Sequence, residues 1–254
     1  MLTEKVIWGV IPDGFRKVIE AGGNFLLVRE DRAGEINARI CRAAVPDARY
    51  RGRSSLGAIR LQDGNFALVR NFQHGGLLGR LTGQWFFTWP PRPFRELAIT
   101  EELRRRGLRT VEVYAAGVQR ACGPFYRGWL VTRELGGAKD LWGVLQDEAY
   151  GPSGLSSALR AAAETVRAMH RAGVYHGDLN LKNILIQPNA GGVEAYVIDL
   201  DKAKLFLGKL PPPLAKRNLK RLLRSALKLD PDRRLLSAAS WTEFMEFYYG
   251  TTDS

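Results

Sequence analysis

Apolar residues recur at spacings of three and four from Leu155 through Leu159, Ala162, Val166 and Met169, and this predicts an amphipathic helix over 153–172 ending at Gly173. It is the clearest helical period in the chain. A second one places Leu219, Leu222, Leu223 and Ala226 on one face of a helix over 214–236, and Trp241, Phe244, Phe247 and Tyr248 mark a last helix ending at Gly250. Pro90-Pro91-Arg92-Pro93 excludes helix, after which 94–106 resumes a helical pattern that Gly107 stops. Shorter helices are expected over 34–44 and 141–145. Strands are expected at 25–28, at 58–61 and 66–70 around the turn Asp63-Gly64-Asn65, and at 111–118 and 128–135 around Gly123-Pro124. Ile184-Leu185-Ile186 and Val197-Ile198 flank a further turn at Gly191-Gly192.

Composition narrows the class. A chain of 254 residues with 45% apolar content builds one large domain or two lobes. A formal net charge of +12 and a pI near 10 call for an anionic partner: nucleic acid, nucleotide or an acidic membrane surface. Charge alone does not choose among them. Cys41 and Cys122 are the only cysteines and have no zinc-type spacing, so neither a disulfide framework nor a structural metal is expected, and a reducing compartment fits. With no leader pattern and no apolar run near the ~18 residues that span a bilayer, the chain reads as soluble and cytoplasmic.

The candidate chemistry lies in His176-Gly177-Asp178-Leu179-Asn180-Leu181-Lys182-Asn183 and in Ile198-Asp199-Leu200-Asp201. A β-hairpin with incidental polar residues is the plain alternative. An acid, an amide five residues later and a second acid after a hairpin form a composite signal, and it resembles the catalytic loop and metal-binding acid of the protein-kinase-like fold. That resemblance implies an α+β, two-lobed protein-kinase-like fold, with an antiparallel-sheet N-lobe over 1–135, a mainly helical C-lobe over 136–254 and a short or absent activation segment. It implies that Asp178 orients the acceptor hydroxyl and takes its proton, and that Asn183 and Asp199 hold Mg²⁺ against the phosphates of ATP. His176 is expected to scaffold the loop, and His170 to pack in the core.

Other kinase parts are matched with variations. Gly52 and Gly57, on a hairpin, are candidates for a phosphate-covering loop, although glycines there serve equally as turn residues. No lysine occurs between Lys17 and Lys139, so Arg70 is the candidate for the strand cation and Glu96 for its helix partner. Backbone groups of Glu134 and Leu135 fall where a hinge meets adenine. Past Asp201 there is no Ala-Pro-Glu sequence and Pro211-Pro212-Pro213 follows at once, so a polypeptide-docking surface is not expected. The cations of 214–236 form either a solvated face or a contact with anionic lipid.

The loop's Asp-Leu-Asn resembles that of the lipopolysaccharide sugar kinases. Leu68-Val69-Arg70-Asn71-Phe72-Gln73-His74-Gly75-Gly76-Leu77-Leu78-Gly79, Arg95-Glu96-Leu97, Ile198-Asp199-Leu200-Asp201-Lys202 and Asn218-Leu219-Lys220-Arg221-Leu222-Leu223-Arg224-Ser225 are similar to motifs of 3-deoxy-D-manno-octulosonic acid (Kdo) kinases. The similarity runs over about 49–250. His74, where the family often has Arg, and Lys182 depart from the pattern. The resemblance implies ATP- and Mg²⁺-dependent phosphorylation of a Kdo hydroxyl on a lipid A precursor, a lipid-linked anionic sugar. It also implies a peripheral protein at the cytoplasmic face of the bacterial inner membrane. Lys182 is expected to supply a catalytic cation, because Asn180 stands where a protein kinase carries lysine. Competing expectations are a heptose kinase and a nucleotide-binding pseudokinase scaffold. Nucleic acid is not an expected partner, since no aromatic-basic recognition motif is present.

Overall fold

The computed structural model describes residues 8–44, 56–73, 85–121 and 124–250. The chain divides into two compact units, Met1–Glu102 with Glu112–Glu134, and Leu103–Val111 with Leu135–Ser254. Residues 103–111 thus group with the second unit, whereas the sequence places them in the first.

The first unit is built on a six-stranded antiparallel sheet in the order β1-β2-β5-β6-β4-β3. The strands are β1 (Phe15–Glu20), β2 (Asn24–Arg29), β3 (Leu56–Arg60), β4 (Phe66–Asn71), β5 (Val113–Arg120) and β6 (Tyr126–Arg133). Side chains alternate between its two faces. Leu27, Ala116 and Leu130 join one core cluster with Phe94 and Leu97 of helix α2 (Arg92–Arg105), while Leu26, Val28, Ala115 and Val131 join another with Ala38 and Cys41 of helix α1 (Ala38–Ala43). A period of two with both faces covered explains why 113–118 is wholly buried. Gly117 sits opposite Trp129, and a Cβ there would lie 2.4 Å from the indole, so the glycine makes room for that ring.

Three expectations need correction in this unit. β1 has no counterpart in the predicted strands, because as an edge strand it leaves Ile19 exposed and breaks the usual alternation. The helix expected over 34–44 covers only Ala38–Ala43; Asn37 caps it by accepting from the Ile40 N–H at 2.9 Å. Helix α2 begins at Arg92, inside the segment expected to exclude helix. Pro93 is tolerated in the first turn, where no intrahelical N–H is needed, and the Arg92 N–H donates to the Tyr126 hydroxyl.

The second unit is mainly helical. Helix α4 (Gly151–Arg171) buries Leu159, Ala162, Val166 and Met169 as its period requires, and packs on helix α6 (Ala238–Tyr249) and on strand β10 (Gly192–Val197). Strand β9 (Ile184–Asn189) pairs with β10 and with β7 (Lys139–Asp140), which leads into helix α3 (Leu141–Leu145). Two short strands, β8 (Val174–Tyr175) and β11 (Lys204–Leu205), pair antiparallel on either side of the candidate chemistry. Helix α5 (Pro212–Leu229) stops seven residues before the expected end at 236. The Asp230 carboxylate accepts from the N–H groups of Arg234, Leu235 and Leu236, turning the chain toward the Ser237 cap of α6. Those bonds, that of Leu236 first, hold Asp230 below the usual carboxylate range.

His170, near the end of α4, lies buried, as expected for a packing histidine. Its Nδ1 accepts from the Tyr248 hydroxyl at 2.8 Å, and its Nε2–H donates to Asn218 Oδ1 at 3.2 Å. Burial pushes its pKa from 6.5 down to about 4. Below pH 6.5 the unfolded chain therefore takes up a proton that the folded chain refuses. The stabilisation from this ring is complete above that pH and shrinks as pH falls toward 4, by up to about 3 kcal/mol. Melting temperatures measured between pH 7 and pH 4.5 should fall, and His170→Gln should make the decline shallower.

Candidate active site

His176 is the joint of the candidate loop. The side chain is fully buried, and burial lowers its pKa, so the ring is neutral. Its Nε2–H donates to the Ile198 carbonyl at 3.0 Å, and its Nδ1 accepts the Asp178 backbone N–H at 3.1 Å. The tautomer follows from the partners, since a carbonyl can only accept and an amide N–H can only donate. One ring thereby ties the residue that precedes Asp199 to the backbone of Asp178. His176 is in turn gripped by the wholly buried Asn218 of α5, whose Nδ2 donates to the His176 carbonyl at 2.7 Å while its Oδ1 accepts the His176 N–H at 3.1 Å.

Downstream of Asp178 the loop closes on itself. The side-chain amides of Asn180 and Asn183 both donate to the Asp178 carbonyl, at 2.8 and 2.9 Å. Asn180 Oδ1 accepts the Lys182 N–H at 3.0 Å and starts the 3-10 turn Leu181–Asn183. The Ile198 N–H donates to the Asn183 carbonyl at 3.0 Å. These bonds bring Asp178, Asn183 and Ile198-Asp199 into one frame. Asn183 is buried and spends its side-chain nitrogen on the Asp178 carbonyl, so its Oδ1 is the atom that could serve a cation as ligand.

Asp199 adopts φ 63° and ψ 59°, a left-handed conformation that costs a non-glycine residue about 1–3 kcal/mol. The residue before it is held on both sides, by the Ile198 N–H and the Ile198 carbonyl, so the surrounding bonds support the strained geometry. A carboxylate and an amide oxygen are hard donors suited to Mg²⁺, which takes one or two protein oxygens and completes its shell with water and substrate phosphates. Among the described residues no cluster of three or more His, Cys, Asp or Glu could hold a metal by itself. One acid and one amide fit an ion whose shell is completed by water and phosphate oxygens.

The Asp178 carboxylate is partly exposed and faces two cations: Arg221 of α5 at 3.2 Å and Lys202 at 3.7 Å. Neither stood among the candidate site residues of the sequence. Lys182, which did, contributes its backbone N–H to Asn180 and makes no ion pair with Asp178. Arg221 and Asn218 lie one helical turn apart, at i and i+3, within a segment noticed only for its likeness to a family motif.

Within the first unit, Arg70 on β4 bridges both carboxylate oxygens of Glu96 on α2, the closer contact being 2.5 Å, and its guanidinium lies 4.7 Å from the Phe72 ring centre. Glu96 is only 2% exposed, so its carboxylate is buried against the arginine. Arg70→Lys keeps the charge but loses the guanidinium's stacking on Phe72; it should cost about 1–2 kcal/mol by thermal melting. Gly57 is buried in β3, where a Cβ would lie 2.6 Å from that of Ala44, so close packing already accounts for the glycine. Gly52 lies outside the described residues, as does His74-Gly75-Gly76-Leu77-Leu78-Gly79. The Glu134 N–H continues the sheet to the Phe66 carbonyl at 3.0 Å, and the Leu135 carbonyl accepts from Ala138 at 3.1 Å.

A model of the Lipopolysaccharide kinase (Kdo/WaaP) family matches residues 42–248. The chain is 34% identical to the 3-deoxy-D-manno-octulosonic acid kinase of Vibrio cholerae over 178 residues, 68% of this chain and 70% of that one. With the enzyme of the same name from Stenotrophomonas maltophilia it is 30% identical over 193 residues, 73% and 72% of the two chains. A solved structure, WaaP in complex with acyl carrier protein, superposes with a TM-score of 0.56 at 23% identity, covering 92% of this chain and 89% of that one, which places the fold. By its matched sequence, and with the loop geometry found in the second unit, this chain belongs to the lipopolysaccharide kinase (Kdo/WaaP) family.

Proposed function

We propose that the chain is an ATP-dependent kinase that phosphorylates a Kdo hydroxyl of a lipid A precursor in lipopolysaccharide core biosynthesis. The observation that carries this is the single hydrogen-bonded frame holding Asp178, Asn183 and the Asp199 segment, in a chain 34% identical to a Kdo kinase. Asp178 accepts the proton of the acceptor hydroxyl as its oxygen forms a bond to the γ-phosphorus. The bond from that phosphorus to the bridging oxygen of ADP breaks in the same displacement. Asn183 and Asp199 are the residues that would hold Mg²⁺, which would neutralise charge on the phosphate oxygens when bound.

Arg70, kept in place by Glu96, supplies the cation for the nucleotide phosphates, Gly52 and Gly57 are the candidates for covering them, and Glu134-Leu135 offers backbone groups to adenine. Lys182 stabilises the transferred phosphoryl group; Lys182→Ala should lower kcat about tenfold with little change in melting temperature, measured by steady-state turnover. The protein works peripherally on the cytoplasmic face of the inner membrane. No helix among the described residues is long and apolar enough to cross a membrane. Incubation of purified protein with ATP, Mg²⁺ and either a Kdo-bearing or a heptose-bearing lipid acceptor tests the assignment. Phosphate should appear on the Kdo acceptor; transfer to heptose alone would give the heptose kinase, and nucleotide binding without transfer to either the pseudokinase.

A further inference from the structure

The second unit carries a basic cavity of about 410 Å³ at the joint of α4, the 206–212 segment, the first turns of α5 and the end of α6. Arg167, Arg171, Lys209 and Lys216 line it together with Tyr248 and Tyr249, and no carboxylate is among the lining residues. None of these groups belongs to the Asp178 frame. Four cations facing a common space repel one another unless an anion sits there.

The segment bordering the cavity is unusual for a second reason. Leu207 is fully exposed at 101% of its reference area, Leu205 is exposed at 39%, and Lys204 and Lys209 flank them in solvent. This protruding tip is pinned. The Phe206 N–H donates to the Gly173 carbonyl at 2.8 Å and the Leu210 N–H to the His170 carbonyl at 2.8 Å, while Gly173 packs so close that a Cβ would lie 2.2 Å from the Gly208 carbonyl oxygen. The backbone therefore holds Leu207 away from the core by construction. A fixed apolar tip set between lysines and beside a cationic cavity has the chemistry of a contact with a charged lipid surface, in which leucine enters the acyl boundary and the cations take phosphates.

We propose that this face is the membrane-docking site: the cavity receives the phosphate headgroup of an anionic phospholipid and Leu207 inserts beside it. The inference deepens the proposed peripheral location and rests on it. Through the β11–β8 pairing, the docked segment joins the strand that runs directly into His176, which suits an enzyme whose acceptor is embedded in the same bilayer.

Flotation of the full chain with phosphatidylcholine vesicles, with and without one third phosphatidylglycerol, tests this in the absence of ATP and acceptor, so the outcome does not depend on the assigned reaction. Wild type should bind the anionic vesicles only. Leu207→Glu, and separately the pair Arg171→Glu with Lys216→Glu, should each weaken binding by roughly tenfold or more, while Lys228→Glu at the far end of α5 should change it less than about threefold. Each variant's melting temperature shows that it is folded. Equal binding by wild type and the cavity variants, equal binding to neutral vesicles, or saturation of the cavity by inorganic phosphate without any vesicle binding would overturn the proposal.

Discussion

Asp178→Asn should lower kcat by about 10²–10⁴-fold while leaving melting temperature and ATP affinity near wild type. The dissociation of effects follows from the bonding. The loop's shape depends on the Asp178 backbone N–H and carbonyl, which His176, Asn180 and Asn183 engage, and the substitution leaves those groups intact. The carboxylate's own partners, Arg221 and Lys202, are solvent-exposed to a third or more, so their pairing contributes little to stability. What disappears is the proposed proton acceptor. Single-turnover transfer from γ-labelled ATP, alongside calorimetric ATP titration, separates the two quantities. A variant that lost nucleotide affinity and stability in parallel with turnover would indicate that the carboxylate is structural.

Asn218→Ala should have the largest effect on stability. The substitution removes the buried partner of both the His176 N–H and the His176 carbonyl, and also the acceptor for His170. A buried polar group left without a partner costs about 1–3 kcal/mol. The sum here should reach about 3–5 kcal/mol, a drop in Tm on the order of 10 °C for a protein of this size. Turnover should fall as well, because the displaced histidine no longer fixes Ile198 relative to Asp178. Asn218→Asp, isosteric but as a carboxylate unable to donate to the His176 carbonyl, should not rescue. Thermal melting monitored by circular dichroism reads the first effect; activity below the lowered Tm reads the second.

Legibility in the sequence followed the range of the forces involved. The helical stripe of α4 was plain because burial of one face imposes a fixed period, and the strands β5 and β6 because apolar runs flank a turn signal. The catalytic loop was plain because polar residues at fixed spacing interrupt apolar runs. The Arg70 and Glu96 pair could be anticipated from the absence of lysine between positions 17 and 139. What escaped depends on distant partners. The edge strand β1 has no alternation to read, the start of α2 at Arg92 is set partly by the Tyr126 hydroxyl, and Arg221 reaches Asp178 across 43 positions of chain. Asn218 was visible only as part of a family-like segment. Its function as the clamp on His176 emerges only when α5 folds back beneath the loop.

The central claim is that Asn183 and Asp199 seat one divalent ion on the phosphates of ATP while Asp178 faces the terminal one. A crystal structure with Mn²⁺ and a non-hydrolysable ATP analogue tests it most directly. Anomalous scattering should place the ion about 2.1–2.2 Å from Asn183 Oδ1 and from an Asp199 carboxylate oxygen, bridged to the nucleotide. An ion bound to the nucleotide with either side chain out of coordinating range would contradict the account.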